Sequence, residues 1–370
     1  MIQRIFIFLF FLILCSSILL SLVDLNKKIE LTERRATAKK PSSLFEEKFI
    51  DKYNKYYLDN FGFRNLAIST YSTMKYNFLK ISPYPNQVLI GKDDWLFLGN
   101  SKGSIQDEHS GINLLNQRKL KRIKSKILAK KKIVEQNGAS FYLFIAPDKY
   151  SIYEEKLPDY INEKFINRNL DKLIEHLKPE IDVIDVRQDL IEKKEVNQLY
   201  AKGDSHWNDY GAYFAYQKII RSIGEDFKDL KPLNLESFDI KKVSSKIKTT
   251  GDMINVSKNL VDFDIQIRKK GDLSWDRAED QLIRPKYMAK SAKPYERRYL
   301  NQAPQTNLKI LIFRDSFFNR LFRFFNEHFA ESLYINNIHR FDVKLFKKEK
   351  PDIVLYEIIE RDMSEYLINF

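Results

Sequence analysis

The chain begins with an apolar run. Ile5 to Val23 carries no charge and is interrupted only by Ser16, Ser17 and Ser21. As a helix it spans about 28 Å, close to the hydrocarbon core of a bilayer, which predicts a membrane-spanning helix over residues 1–23. The first small-residue triplet suited to signal cleavage, Ala36-Thr37-Ala38, lies far downstream in a polar stretch. Bulky Leu14 precedes Cys15 where a lipoprotein site needs a small residue, so the expected segment is an uncleaved signal anchor. Residues 24–43 are polar and charged and read as a juxtamembrane linker. From Leu44 to Leu79 the spacing is mostly helical, with aromatics at Phe45, Phe49, Tyr53, Tyr56 and Tyr57. Val88-Leu89-Ile90, a polar Gly91-Lys92-Asp93-Asp94 and then Trp95-Leu96-Phe97-Leu98 predict a hairpin.

Beyond the hairpin, continuous apolar runs alternate with amphipathic ones. Leu120, Ile123, Ile127 and Val134 recur at helical spacing, and Asn137-Gly138 stops that helix. Phe141–Ala146 is a buried-type strand closed by Pro147. A helix over about 167–177 precedes a strand at Val183–Val186, and another helix runs from Gly211 to about Ile220. Leu308–Phe313 reads as a strand, Phe317–Phe329 as a helix, Leu333–Ile335 and Ile353–Ile358 as strands. This rhythm predicts an α/β sandwich with a mostly parallel sheet. Residues 222–305 are long, polar and poorly periodic, and read as an insertion with some short strands of its own. The expected organisation is an anchor at 1–23, a linker at 24–43 and one domain over 44–370, interrupted at about 222–305.

Composition narrows the chemistry. The only cysteine of 370 residues, Cys15, lies in the apolar run, which excludes disulfides, thiolate zinc sites and a cysteine nucleophile from the folded part. The net charge is +13. Nine basic residues, Arg118, Lys119, Lys121, Arg122, Lys124, Lys126, Lys130, Lys131 and Lys132, share the wet face of one helix. That face is either simply solvated or a surface for anionic lipid or glycan. No zinc-finger, P-loop or RNA-binding signature points to nucleic acid.

Two segments carry candidate chemistry: Gly203-Asp204-Ser205-His206-Trp207-Asn208, just before a helix, and Phe313-Arg314-Asp315-Ser316-Phe317-Phe318, where a strand turns into a helix. Ser316 sits beyond the carboxyl end of a strand, where open α/β sheets place reactive groups. A serine hydroxyl needs a base to act as nucleophile. Of the five histidines, His206 has a carboxylate two residues away in a loop, so Asp204 can orient its imidazole toward the serine. The alternatives are that Asp315 or Ser316 only caps the following helix, or that Asp204 and His206 bind a metal with a third ligand such as His109. Lys149, in Pro147-Asp148-Lys149-Tyr150, is a candidate substrate contact or a solvated loop lysine. Trp207 is a sugar-stacking platform or a core residue. Arg314 binds an anionic group or pairs with a carboxylate, and Glu360-Arg361-Asp362 reads as an ion-pair cluster near the site.

In order along the chain, Asn60-Phe61-Gly62-Phe63-Arg64, Gly91-Lys92-Asp93-Asp94-Trp95-Leu96-Phe97, Pro147-Asp148-Lys149-Tyr150, Asp204-Ser205-His206-Trp207-Asn208, Gly251-Asp252-Met253, Arg314-Asp315-Ser316-Phe317 and Pro351-Asp352-Ile353-Val354 resemble the AlgX/AlgJ-like family of SGNH-hydrolase-like polysaccharide O-acetyltransferases. The resemblance implies an SGNH-like three-layer fold, with Ser316 as nucleophile, His206 as base and Asp204 as its orienting acid. It also implies a periplasmic domain that acetylates an exopolysaccharide beside a membrane-bound O-acyltransferase partner. No cofactor is expected, since the acetyl donor comes from that partner or from a small acetyl ester. Arg314 departs from the family's Gly-Asp-Ser block. Orientation is contested: Arg4 alone precedes the apolar run while Lys27, Lys28, Arg34, Arg35, Lys39 and Lys40 follow it, which by the positive-inside rule keeps the domain in the cytoplasm. The reading adopted is the exported one, a single-pass inner-membrane protein with its catalytic domain in the periplasm. Its rivals are a polysaccharide acetylesterase and an inactive SGNH-like scaffold.

Overall fold

A computed structural model describes residues 2–22, 37–101, 103–161, 168–246, 261–270, 296–336 and 341–370. The strands, in chain order, are β1 Val88–Ile90, β2 Leu96–Leu98, β3 Ser140–Ala146, β4 Val183–Ile184, β5 Phe238–Lys246, β6 Val261–Lys269, β7 Glu296–Leu300, β8 Thr306–Phe313, β9 Phe329–Ile335 and β10 Ile353–Ile359. Six of them form the central sheet in the order β4-β3-β10-β8-β9-β7. All neighbours run parallel except β7, which pairs antiparallel with β9 at one edge.

Alternation along each strand explains why the runs are continuously apolar. Phe144 and Ala146 of β3, Ile310 and Ile312 of β8, and Ile353 and Leu355 of β10 enter one core. Their neighbours Leu143, Ile145, Leu311, Phe313, Val354 and Tyr356 enter the other. Both faces are covered, so no polar position is needed in the strand centres. The first core is closed by the helix Asp209–Gly224 and the β1–β2 hairpin. The second is closed by Gln117–Gln136, Asn169–Leu177 and Val343–Glu349. The result is a three-layer α/β/α sandwich with a mostly parallel sheet. In Gln117–Gln136 the buried residues are Leu120, Ile123, Ile127 and Val134; Lys124 and Lys131 donate to the carbonyls of His176 and Glu180, and the arginines Arg118 and Arg122 with Lys119, Lys121, Lys126 and Lys132 face outward.

Two elements depart from the sequence reading. The helix expected over Phe317–Phe329 is a 3₁₀ turn, Ser316–Arg320, followed by the short helix Phe322–Phe325, and β9 already begins at Phe329. Phe317, Phe318, Phe322, Phe324 and Phe325 are buried while Ser316, Asn319, Arg320 and Arg323 reach solvent, a spacing that suits a helix but is met here by a 3₁₀ turn and one short helical turn after it. Within 222–305, β5 and β6 form their own antiparallel pair, while β7 completes the central sheet. Residues 247–260 and 271–295, and with them Gly251-Asp252-Met253, lie outside the described residues.

Ile2–Leu22 is a single α-helix of 21 residues, and the side chains of Ile5–Leu12 are exposed. Among the described residues no helix is long and apolar enough to cross a membrane. The side chains of residues 13, 14 and 16–22, on which the expected span also depends, lie outside the described set, as does the backbone of 23–36 in the expected linker.

Candidate active site

The parallel strands end together on one crest, and three of them deliver the polar groups of the site: β3 leads into Asp148 and Lys149, β8 into Arg314–Ser316, and β10 into Glu360 and Arg361. The fourth contribution, Gly203–Asn208, is a loop closed at its base by the bridge between Tyr200 and Trp207. Asn208 ends this loop as the helix N-cap, its side-chain oxygen accepting from the N–H groups of Tyr210 and Gly211. Gly211 lets that helix start close against the incoming chain, where a Cβ would sit 2.5 Å from the Leu199 carbonyl oxygen.

The loop and the turn after β8 bring Asp204, His206 and Ser316 into line. Asp204 Oδ1 lies 2.7 Å from His206 Nδ1 and also accepts the His206 backbone N–H at 3.0 Å. His206 Nε2 lies 2.8 Å from Ser316 Oγ. A carboxylate only accepts, so Nδ1 carries the imidazole proton and Nε2 is free to accept from the serine hydroxyl. Burial works to raise the Asp204 pKa, but the hydrogen bond and charge of His206, its backbone N–H and the charge of Lys149 outweigh it. The carboxyl is held well below the usual carboxylate range.

Asp315, not Ser316, is the cap of the turn. Its carboxylate accepts from the Phe317 N–H at 2.7 Å and from the Ile359 N–H at 2.7 Å, tying the turn to the end of β10. The Asp315 N–H donates to buried Glu357 at 2.8 Å. Burial, with the nearby Asp315 charge, pushes the Glu357 carboxyl well above its ordinary pKa, so it stays protonated beneath that charge. With the capping done by its neighbour, Ser316 is exposed and its hydroxyl faces His206. The ring of Phe317 packs on the imidazole with centroids 4.6 Å apart, and the Arg361 guanidinium lies 5.3 Å from the Phe317 ring centre. Arg361 also pairs with Asp148 at 2.8 Å, while Glu360 accepts from the Asp148 N–H and the Ser151 hydroxyl.

Three residues expected to meet substrate are buried instead. Trp207 is fully buried, stacks on Phe144 and donates its indole N–H to the Phe317 carbonyl at 3.0 Å. An indole closed off on all sides cannot serve as a sugar platform. Its bond does link the residue after His206 to the residue after Ser316. Lys149 is also buried, and its ammonium donates to the carbonyls of Leu96, Ala201 and Lys202, so its charge braces the approach to Asp204 from within. Arg314 lies under the turn with its guanidinium 4.9 Å from the Phe322 ring centre, donating to Asn319 Oδ1 and the Asp315 carbonyl. Burial pulls its pKa down, as for a cation taken from water. Trp207→Phe keeps most of the ring and removes the donor, so the Phe317 carbonyl loses a buried hydrogen bond and the two segments lose their link. The expected cost is about 1–3 kcal/mol in urea unfolding.

Other elements do not join the three residues. His109 is buried against Tyr150, with Nε2 3.7 Å from Glu154, and burial pulls its pKa down to about 4. Among the described residues, no three His, Cys, Asp or Glu come together as a metal site. A cavity of about 20 Å³ is lined by His109, Asp148, Ser151, Arg168, Glu360 and Arg361. It is large enough for a single water and holds none of the three aligned residues. The sequence reading missed Phe317, which packs on the imidazole, and the acid–arginine group of Asp209, Arg320 and Arg323. As an acid in the first helical turn, Asp209 has the pattern of an ordinary dipole-complementing residue.

Residues 88–266 match the family model described as ALGX, SGNH hydrolase-like domain, acetyltransferase AlgX. The matched span contains Asp204 and His206, and Ser316 reaches them from beyond it, at the turn after β8. No curated protein matches the chain. Among solved structures, PatB1 of Bacillus cereus with a sulfonyl adduct is 15% identical, with a TM-score of 0.59 over 76% of this chain and 97% of that one. A DHHW family protein of Eubacterium siraeum is 16% identical, with a TM-score of 0.51 over 75% of this chain and 91% of that one. At such identities the likeness shows a shared fold. Over residues 88–266 the chain is thus similar to the SGNH hydrolase-like domain of the acetyltransferase AlgX.

Proposed function

We propose that the protein transfers acetyl groups to hydroxyls of a surface or secreted polysaccharide, with Ser316 as nucleophile, His206 as general base and Asp204 as its orienting acid. The observation that carries this reading is the continuous hydrogen-bonded line Asp204–His206–Ser316, at 2.7 and 2.8 Å, on an acetyltransferase-family domain. His206 Nε2 takes the hydroxyl proton as Ser316 Oγ bonds to the acetyl carbonyl carbon. The tetrahedral oxyanion meets the Ser316 N–H at the start of its turn. The imidazolium returns its proton to the leaving group, and an acetyl-Ser316 ester remains. A sugar hydroxyl, deprotonated by His206, then takes the acetyl group and restores the serine.

The proposal extends to the setting. The apolar helix Ile2–Leu22 anchors the chain in the inner membrane, the domain lies in the periplasm, and a membrane-bound O-acyltransferase supplies the donor. The basic face of Gln117–Gln136 is the surface suited to an anionic glycan or lipid headgroup.

A chromogenic acetyl ester, offered to the full chain in mild detergent with and without oligosaccharide, tests the reaction. Wild type is expected to release acetate slowly alone and to acetylate sugar when acceptor is present. Acetate release that never yields acetylated sugar, across several glycans, would mean an esterase with the same three residues.

A further inference from the structure

Beside the aligned residues sits a charge cluster, a buried carboxylate held by two partly exposed guanidiniums, that the reaction itself does not use. Asp209, the first residue of the helix Asp209–Gly224 and three positions past His206, is almost fully buried. Its Oδ1 pairs with Arg320 Nη1 at 2.8 Å, and its Oδ2 with Arg323 Nη1 at 2.8 Å. Oδ2 also accepts the Ile267 N–H from β6 at 3.1 Å, while Arg323 donates to the Ile267 carbonyl. Arg320 lies four positions past Ser316, at the end of the serine's own turn. The segment that carries the base and the segment that carries the nucleophile are therefore joined by a carboxylate–guanidinium pair.

The cluster's chemistry argues against a role in stability alone. Taking the Asp209 carboxylate out of water costs several kcal/mol, and an apolar side chain of the same volume often holds a fold at least as well. Burial works against the charge of Arg320, yet Asp209 and Asp264 outweigh it and keep the guanidinium firmly protonated. What such a pair supplies better than apolar packing is direction, because a planar fork and a carboxylate meet in few orientations. Trp207, through its bond to the Phe317 carbonyl, already fixes one point between the two segments. The Phe317 ring against the imidazole adds contact without fixed direction, and the pair Asp209–Arg320 adds a second directional bond between the segments.

We propose that Asp209 is a positioning residue that acts through Arg320 to fix the approach of Ser316 Oγ to His206 Nε2. The inference rests on the reading that these two residues carry the acyl transfer.

The test is the rate at which a sulfonyl fluoride labels Ser316 in the full chain, together with Tm. The variants are Asp209→Asn, Arg320→Met and Arg320→Lys, compared with Glu349→Gln. Glu349 is a like case remote from the site, a buried carboxylate that accepts from Arg298 and Lys309 near the start of β8. Asp209→Asn is expected to slow labelling at least about tenfold, because misplacement by a fraction of an ångström already erodes proximity. Its Tm should fall no further than that of Glu349→Gln, which should label at the wild-type rate. Arg320→Lys should recover part of the rate lost in Arg320→Met. The proposal is overturned if folded Asp209→Asn labels like wild type. If that variant does not fold, equal rates for Arg320→Met and wild type overturn it instead. Ser316→Ala in the same assay keeps the two readings apart: label persisting there would sink the assignment of the nucleophile, whatever Asp209 does.

Discussion

Ser316→Ala is expected to lower acetyl-ester turnover by about 10³-fold or more, with the fold intact. The expectation follows from where the hydroxyl sits. Ser316 is exposed, its hydroxyl bonds to His206 Nε2, and the capping of the turn belongs to Asp315. Loss of the oxygen therefore breaks no buried contact, and stability should move by no more than about 0.5 kcal/mol. Steady-state turnover beside a thermal melt checks both halves. Turnover within a few-fold of wild type would remove Ser316 from the chemistry, and a collapsed melt would make the activity loss uninformative about the role of the hydroxyl.

Asp204→Asn is expected to cost about 10⁴-fold in kcat while leaving the melt nearly unchanged. The side chain keeps its size, and its carbonyl oxygen can still accept the His206 backbone N–H. What changes is the other bond. A carboxylate that only accepts keeps the imidazole proton on Nδ1, whereas an amide can turn its NH₂ toward Nδ1 and move that proton to Nε2. A protonated Nε2 cannot take the serine proton, and the imidazolium formed in the transition state loses its facing anion. A kcat within tenfold of wild type would show that Asp204 does not orient the base.

Much of the architecture is legible in the chain because the sheet is buried on both faces. Leu143 to Ala146, Ile310 to Phe313 and Ile353 to Tyr356 leave no room for a polar residue, and their continuous runs mark strands without ambiguity. The segment after Ser316 misleads for another reason: Asn319, Arg320 and Arg323 between buried phenylalanines follow helical spacing, and that spacing does not reveal where a 3₁₀ turn gives way to a short helix and then to β9. The three aligned residues stand out because a loop acid, a loop histidine and a strand-end serine are scarce types in scarce places. Their neighbours do not. Trp207, Lys149 and Arg314 combine long reach with polar ends, and only the packed structure decides whether the end meets substrate or a carbonyl. Asp209 pairs across 111 residues with Arg320, a relation no local pattern carries.

The central claim is that acetyl passes through Ser316. The most direct measurement mixes the full chain with an acetyl ester, quenches in acid within the first turnover and locates any added acetyl group by peptide mass spectrometry. One acetyl group on the peptide containing Ser316, lost on addition of oligosaccharide and absent in Ser316→Ala, is the predicted result. Turnover with no acetyl on that peptide at any quench time, or acetyl at the same level on Ser316→Ala, would contradict the account.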